Sequence, residues 1–182
     1  MEFCNYYISP IGKIILTSDG EFLTGLMFES SKDIKKCDEQ LVDKDLKIFD
    51  ETKIWLDIYF SGKNPSFTPK YKLKNLTPFR KTVADILITI PYGQVVTYND
   101  IAKQIAQKKG IKKMSAQAVG GAVGANSVCL IVPCHRVIGA NGNLIGYGGG
   151  LDKKIALLEL EHIHIANTHL SKTKEKWYDF EL

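Results

Sequence analysis

Residues 97–126 read TYNDIAKQIAQKKGIKKMSAQAVGGAVGAN, and they decide the fold of the second half of the chain. Thr97 stands before an amphipathic run from about Tyr98 to Gln107. Lys108-Lys109-Gly110-Ile111-Lys112-Lys113 forms a basic turn, and Ser115 is placed to cap a second helix reaching about Ala125. Helix, short basic turn and second helix together outline a helix-turn-helix. The second helix carries little bulk, with Ala116, Ala118, Gly120, Gly121, Ala122, Gly124 and Ala125. Each glycine in a helix interior costs about 1 kcal/mol relative to alanine. In return, a small-residue surface lets a backbone approach another surface closely. That surface is a neighbouring helix or a narrow nucleic-acid groove, and opposite faces can serve both.

Working outward, Thr77-Pro78 opens a helix with Phe79, Val83, Ile86, Leu87 and Ile90 on one face. Pro91-Tyr92-Gly93 stops it, and Val95-Val96 is short and extended. The first 28 residues read as β-structure, with a turn at Ser9–Gly12, a hairpin signal at Asp19-Gly20 and a third strand at Phe22–Phe28. Asp45 to Phe60 shows helical spacing of Leu46, Phe49, Trp55, Leu56 and Tyr59. The lysine-rich Thr68 to Asn75 reads as a linker. Charge changes sign there. Residues 1–60 hold 7 lysines against 12 acids, net −5, whereas residues 61–150 reach +10 with only Asp85 and Asp100 as acids. Residues 151–182 return to −1. Such asymmetry points to an acidic accessory region and a middle segment that meets a polyanion; the competing reading is a solvated lysine face.

Composition narrows the class. At 45% hydrophobic and 24% charged residues the chain falls among soluble globular proteins. No apolar run approaches the ~18–20 residues that span a bilayer, and Met1 to Ser9 lacks a signal-peptide pattern. Cys4, Cys37, Cys129 and Cys134 form neither a dense disulfide framework nor a C-x-x-C pair, so a reducing, cytosolic compartment is expected. Cys4 and Cys129 read as small hydrophobes. Cys134 differs, because it follows the apolar Val128–Val132 and sits between Pro133 and His135, next to Arg136. A thiol with pKa ~8.5 needs a neighbouring imidazole or cation to become a nucleophile. A cysteine–histidine pair with a third orienting group is the general form of such activation. Zinc is the rival chemistry, but His162, His164 and His169 stand at no standard ligand spacing from Cys134.

The string PCHRVIG at 133–139 resembles the active-site motif of the O6-alkylguanine-DNA alkyltransferases, also called methylated-DNA–protein-cysteine methyltransferases. Ile90 to Tyr98 (IPYGQVVTY) resembles that family's approach to its helix-turn-helix. Ala118-Val119-Gly120-Gly121-Ala122, with Asn126 eight residues before Cys134, resembles its recognition helix and hinge. Gly146–Leu151 (GYGGGL) is similar to its pocket loop and Leu157–Glu161 (LLELE) to its final helix. The likeness covers about residues 75–162 specifically, and the N-terminal half only through Leu23–Leu26 and Tyr59–Gly62.

The resemblance implies an α+β protein with three parts. Residues 1–74 would be an accessory domain with a ribonuclease-H-like three-stranded antiparallel sheet and a helix. Residues 75–165 would be a helical DNA-binding and alkyl-transfer domain with a winged-helix-like helix-turn-helix, and residues 166–182 a tail with no family counterpart. It also implies DNA repair by single-turnover transfer of an alkyl group, chiefly methyl, from O6-alkylguanine to Cys134, with O4-alkylthymine as a further substrate. No cofactor or metal is implied. Duplex DNA carrying alkylated guanine is the expected partner of a monomer located in the cytoplasm of a prokaryote, or in a eukaryotic nucleus. The alternative is a non-catalytic lesion sensor or helix-turn-helix DNA-binding protein.

By the same resemblance Cys134 is the nucleophile, His135 takes its proton through a bridging water, and Glu161 orients the imidazole. Tyr98 donates to the leaving guanine, and Asn126 ties the recognition helix to the cysteine loop. Val137, Tyr147 and Gly148 line the pocket through backbone groups. Asn99, Ser115, Gln117, Ala118 and Arg136 are expected on the DNA-binding side. The family usually has Arg where this chain has Gln117, and many members have Trp where it has Ala84.

Overall fold

The computed structural model describes residues 1–31, 41–166 and 169–170. They fall into two compact units. The first comprises Met1–Asn75, Ser127–Ile131 and Gly148–Gly150; the second comprises Leu76–Asn126, Val132–Tyr147 and Leu151–Leu182.

The first unit is built on β1 (Glu2–Ser9), β2 (Gly12–Ser18), β3 (Leu23–Phe28) and the short β4 (Leu41–Asp43). The sheet order is β3-β2-β1-β4. The expected antiparallel strands are present, and β4 adds a fourth, parallel to β1. Asp19 makes the second hairpin, its Oδ1 accepting from the N–H groups of Glu21 and Phe22 at 3.1 and 2.8 Å. β3 is buried along its whole length, and its outer edge is not left open. Leu23 exchanges backbone hydrogen bonds with Lys70 and Lys72, and Leu26 with Ser127 and Cys129. The segment read as a linker therefore also blunts a sheet edge, which would otherwise offer unpaired backbone groups.

Helix α1 (Lys47–Phe60) buries Ile48, Phe49, Thr52, Trp55, Leu56 and Tyr59, the stripe expected of period 3.6. It starts two residues later than the sequence pattern suggests. Asp45 accepts from Asn5 Nδ2 at 3.1 Å, and the N-cap Leu46 makes no side-chain cap bond.

The second unit runs α2 (Pro78–Leu87), β5 (Val96–Thr97), α3 (Tyr98–Lys108), α4 (Ala116–Val123), β6 (Val137–Ile138) and α5 (Leu151–Leu160). A short antiparallel pair follows, β7 (Ile165–Ala166) with β8 (His169–Leu170), where the sequence reading assigns only a tail. The caps behave as their residue types predict. Thr77 and Ser115 accept from Arg80 and Ala118 N–H, each at 3.2 Å. Thr97 and Asp100 form a reciprocal capping box, each backbone N–H reaching the other's side chain at 3.0 Å. β5 and β6 pair in parallel, Val96 with Val137 and Thr97 with Ile138, which holds the start of α3 beside the residues after Cys134. Val95, Ile138, Leu144, Leu158 and Ile163 close a core behind this ladder.

Thr97→Ala removes one half of the capping box at a buried position. The expected loss is about 1–2 kcal/mol of unfolding free energy, checked by urea denaturation at pH 7.

Candidate active site

Pro133 leads into a single 3₁₀ turn, Cys134–Arg136, whose side chains are all buried. Ahead of that turn, the Val132 carbonyl accepts from Asn126 Nδ2 at 2.8 Å and from the Cys134 N–H at 2.8 Å. Asn126 therefore joins the points where the chain leaves and re-enters the second unit, and it sits just past α4.

Beyond the turn, His135 Nε2 lies 2.7 Å from Glu161 Oε1, both side chains fully buried. A carboxylate only accepts, so Nε2 carries the proton and the Nδ1 lone pair is the basic site of the ring. Burial lowers the His135 pKa, against the opposing pull of Glu161, and keeps the imidazole neutral and able to take a proton. Burial alone would raise Glu161, yet the His135 ring and the Arg136 guanidinium hold its carboxyl well below the usual range. Arg136 supplies Nε to Oε2 at 2.9 Å and Nη2 to Oε1 at 3.0 Å, and its Nη1 donates to the Ile90 carbonyl at 2.7 Å. The Gly93 N–H completes the set at 3.1 Å from Oε2. Gly93 has φ +75°, and a Cβ there would meet the Glu161 carbonyl at 3.1 Å. That turn needs glycine.

Arg136 corrects an expectation. Grouped above with the DNA-binding residues, it is 8% exposed and spends its guanidinium on Glu161 and Ile90. Its charge is matched by the buried carboxylate.

A cavity of about 460 Å³ opens in the same unit, walled mainly by Tyr98, Ala116, Gly120, Gly139, Ile145 and Gly146, with Asn99 and Gln117 also on its wall. Its surface is largely apolar, as suits a flat heterocycle. The Tyr98 hydroxyl donates toward the Gly146 carbonyl at 3.1 Å and lies 3.4 Å from that of Ile145. Burial, together with the nearby Cys134, pushes Tyr98 up to about 12, so it remains a donor throughout the neutral range. Gly146 has φ +63°, and a Cβ on it would lie 2.8 Å from the Tyr98 hydroxyl. Only glycine keeps that approach.

Ser115, Gln117 and Ala118 are exposed at the start of α4, as is Asn99 near the start of α3. Gln117, Ala118, Gly121 and Gly124 share an exposed strip while Val119 and Val123 face inward. A Cβ at Gly121 would meet nothing within 4 Å. The bare face is thus the open one. Val137 and Gly148, expected to line the pocket, make other contacts. The Val137 carbonyl accepts from Lys154 Nζ at 2.6 Å, and Gly148 belongs to the first unit, its carbonyl accepting from Ser31 at 3.1 Å. Cys4 is buried and Cys129 half-buried; Cys37 and the Trp177–Phe180 stretch lie outside the described residues. Among the described residues no three His, Cys, Asp or Glu side chains gather as a metal site would require.

Sequence reasoning missed Lys154. It is fully buried, and its ammonium donates to the carbonyls of Val137 and Ile145 at 2.6 Å each and of Gly146 at 3.1 Å. The signal was the helical register. Lys154, Leu158 and Glu161 follow one another at i, i+4 and i+7 along one face.

Comparison with known proteins now decides the family. Residues 78–163 match the model of the 6-O-methylguanine DNA methyltransferase DNA binding domain, and residues 3–73 that of the family's ribonuclease-like domain. The chain belongs to the 6-O-methylguanine DNA methyltransferase family. It is 33% identical over 176 residues to a methylated-DNA–protein-cysteine methyltransferase of Haemophilus influenzae, covering 97% of this chain and 95% of the relative. It is 40% identical to the Mycobacterium leprae protein of the same name, covering 88% and 93%. Among solved structures, Mycobacterium tuberculosis OGT in complex with DNA aligns with a TM-score of 0.76 at 39% identity, covering 87% of this chain and 92% of that one. The α+β fold read from the sequence is the fold of this family.

Glu161→Gln is expected to cost about 3–5 kcal/mol, because it strands the buried guanidinium of Arg136. Denaturant titration against wild type measures it. His135 and Glu161 both have folded values below their ordinary 6.5 and 4.5, so the unfolded chain takes up protons first. Wild-type stability therefore falls as pH drops through 6.5 and again through 4.5, and the variant should lack the second decline.

Proposed function

We propose that this chain repairs DNA by moving an alkyl group, chiefly methyl, from O6 of guanine to Cys134, and is spent by the reaction. Family membership supports the reaction class. The observation that carries the reading is the buried His135–Glu161 pair adjoining a buried cysteine, in one unit with a Tyr98-walled cavity. His135 takes the thiol proton, and Glu161 and Arg136 hold its ring. The sulfur forms a bond to the alkyl carbon while the carbon–O6 bond breaks, its electron pair passing to the guanine. Tyr98 donates to the base as that charge develops. The product is a thioether with no carbonyl for water to attack, so one molecule makes one repair. The buried Cys134 beside the hydrogen-bonded His135–Glu161 pair disfavours a lesion sensor without chemistry.

The target atom lies inside a stacked duplex, so the base must leave the stack at a cost of a few kcal/mol. The open small-residue face of α4 suits a minor groove, with Gln117 filling the vacated stack and Lys112 and Lys113 attracting phosphates. In this reading residues 75–165 perform the transfer, residues 1–74 support them, O4-alkylthymine is a lesser substrate, and the protein works as a cytoplasmic monomer.

After incubation with duplex DNA containing O6-methylguanine, the peptide holding Cys134 is expected to gain the mass of one methylene, one equivalent per protein, by mass spectrometry. Cys134→Ala should abolish the gain and still bind the DNA; transfer by that variant would refute the reading. Gln117→Arg should tighten binding to duplex DNA and steepen the slope of log K against log salt by about one unit, measured by fluorescence anisotropy.

A further inference from the structure

An ammonium has three protons, and Lys154 commits all of them to the carbonyls of Val137, Ile145 and Gly146. None remains for a substrate, so Lys154 is not a donor to the base. Its importance lies in which carbonyls it holds. Two of the three, Ile145 and Gly146, are those that the Tyr98 hydroxyl also approaches. Tyr98 has one proton. To donate it to a base in the cavity, the hydroxyl must turn away from the loop, and a carbonyl left without a donor there would cost about 1–3 kcal/mol. With Lys154 in place, both carbonyls keep a partner when Tyr98 leaves.

We propose that Lys154 is a positioning residue for the transfer: it holds the 145–146 loop against Val137 and so releases the Tyr98 hydroxyl to the substrate. The Lys154 Nζ also lies 5.9 Å from the centre of the Tyr98 ring. The other ionisable groups facing it are Cys134, within electrostatic reach, and His135, whose ring it disfavours in the charged form. Burial brings Lys154 down to about 8, against the opposing pull of Cys134. It is an ammonium at neutral pH and loses the third donor above that value.

The inference rests on Cys134 as acceptor and Tyr98 as donor, and a double-mutant cycle separates the two levels. Single-turnover rates are measured with saturating duplex DNA containing O6-methylguanine for wild type, Tyr98→Phe, Lys154→Met and the double variant. Lys154→Met is expected to slow transfer about 10–100-fold when Tyr98 is present and by less than about 3-fold in the Tyr98→Phe background. A general packing role would slow both backgrounds equally, and that result would overturn this inference alone. Tyr98→Phe transferring as fast as wild type would overturn the role of Tyr98 and this inference with it. Should Lys154→Met not fold, the ratio of wild-type to Tyr98→Phe rates is followed from pH 6.5 to 9.5. Effects of pH on groups away from Tyr98 and Lys154 are common to both rates and cancel in the ratio. The ratio should fall as pH rises through about 8, and a ratio flat across that range would overturn the inference.

Discussion

The surroundings of the buried Cys134 depend on one buried carboxylate. Glu161 is 1% exposed and receives Gly93 N–H, His135 Nε2 and two nitrogens of Arg136. An ionised carboxylate moved from water into a protein interior is costly unless paired and fully hydrogen-bonded. Here the compensation comes from two other places in the chain, the turn before β5 and the 3₁₀ turn of Cys134, gathered at the end of α5. The same four donors that make the charge tolerable therefore fix those segments relative to one another. Arg136 is itself anchored at the Ile90 carbonyl, so its charge is satisfied at both ends. With Asn126 gripping Val132 just upstream, the backbone on either side of Cys134 is held by groups with no freedom to drift. On the proposed reading such rigidity suits a nucleophile used once, since no product has to be released from the thiol.

Helix α4 follows the opposite logic. Its inward face is held by two valines, and its outward face is left nearly bare. The glycines weaken the helix, which the Ser115 cap partly offsets. A bulky outward face would have been more stable and would have stood further from anything it met. The sequence left open whether the small residues served a neighbouring helix or a groove. Val119 and Val123 meet the interior, while Gly121 looks into open space, so the outward face is the one left able to approach another surface.

Much of this was legible in the chain because the signals were local. Thr77, Thr97 and Ser115 announced their helices through capping chemistry, and the stripe Phe49, Trp55, Leu56 and Tyr59 announced α1 through its period. Cys134 and His135 stood out as an adjacent thiol and imidazole, whereas Glu161 was assigned only through the family resemblance, since nothing local in the chain places it beside His135. What escaped was non-local. β4 has three residues with no alternation to detect, and it exists because β1 offers a free edge. Arg136 was grouped with the DNA-binding residues because charge in a sequence carries no address; only the fold brings it to Glu161. Lys154 was hidden by the ordinary expectation that lysine is solvated, and only its register with Leu158 and Glu161 marked it as inward.

These placements change how the charge of the middle segment acts. Its +10 includes Arg136, whose charge is matched internally by Glu161 and contributes little outside. The outward field is carried by exposed lysines such as Lys112 and Lys113. A lysine ammonium is a strongly hydrated point charge, without the planar fork by which arginine grips phosphate in two places. Its attraction is screened over about 10 Å at 0.1 M salt and does not distinguish one phosphate from another. Such a field can gather DNA but cannot choose a base. The cavity wall, by contrast, bears no charged side chain among its lining residues. On the proposed reading, discrimination falls to the Tyr98 hydroxyl and the backbone carbonyls beside it, whose placement depends on a lysine that never reaches the surface.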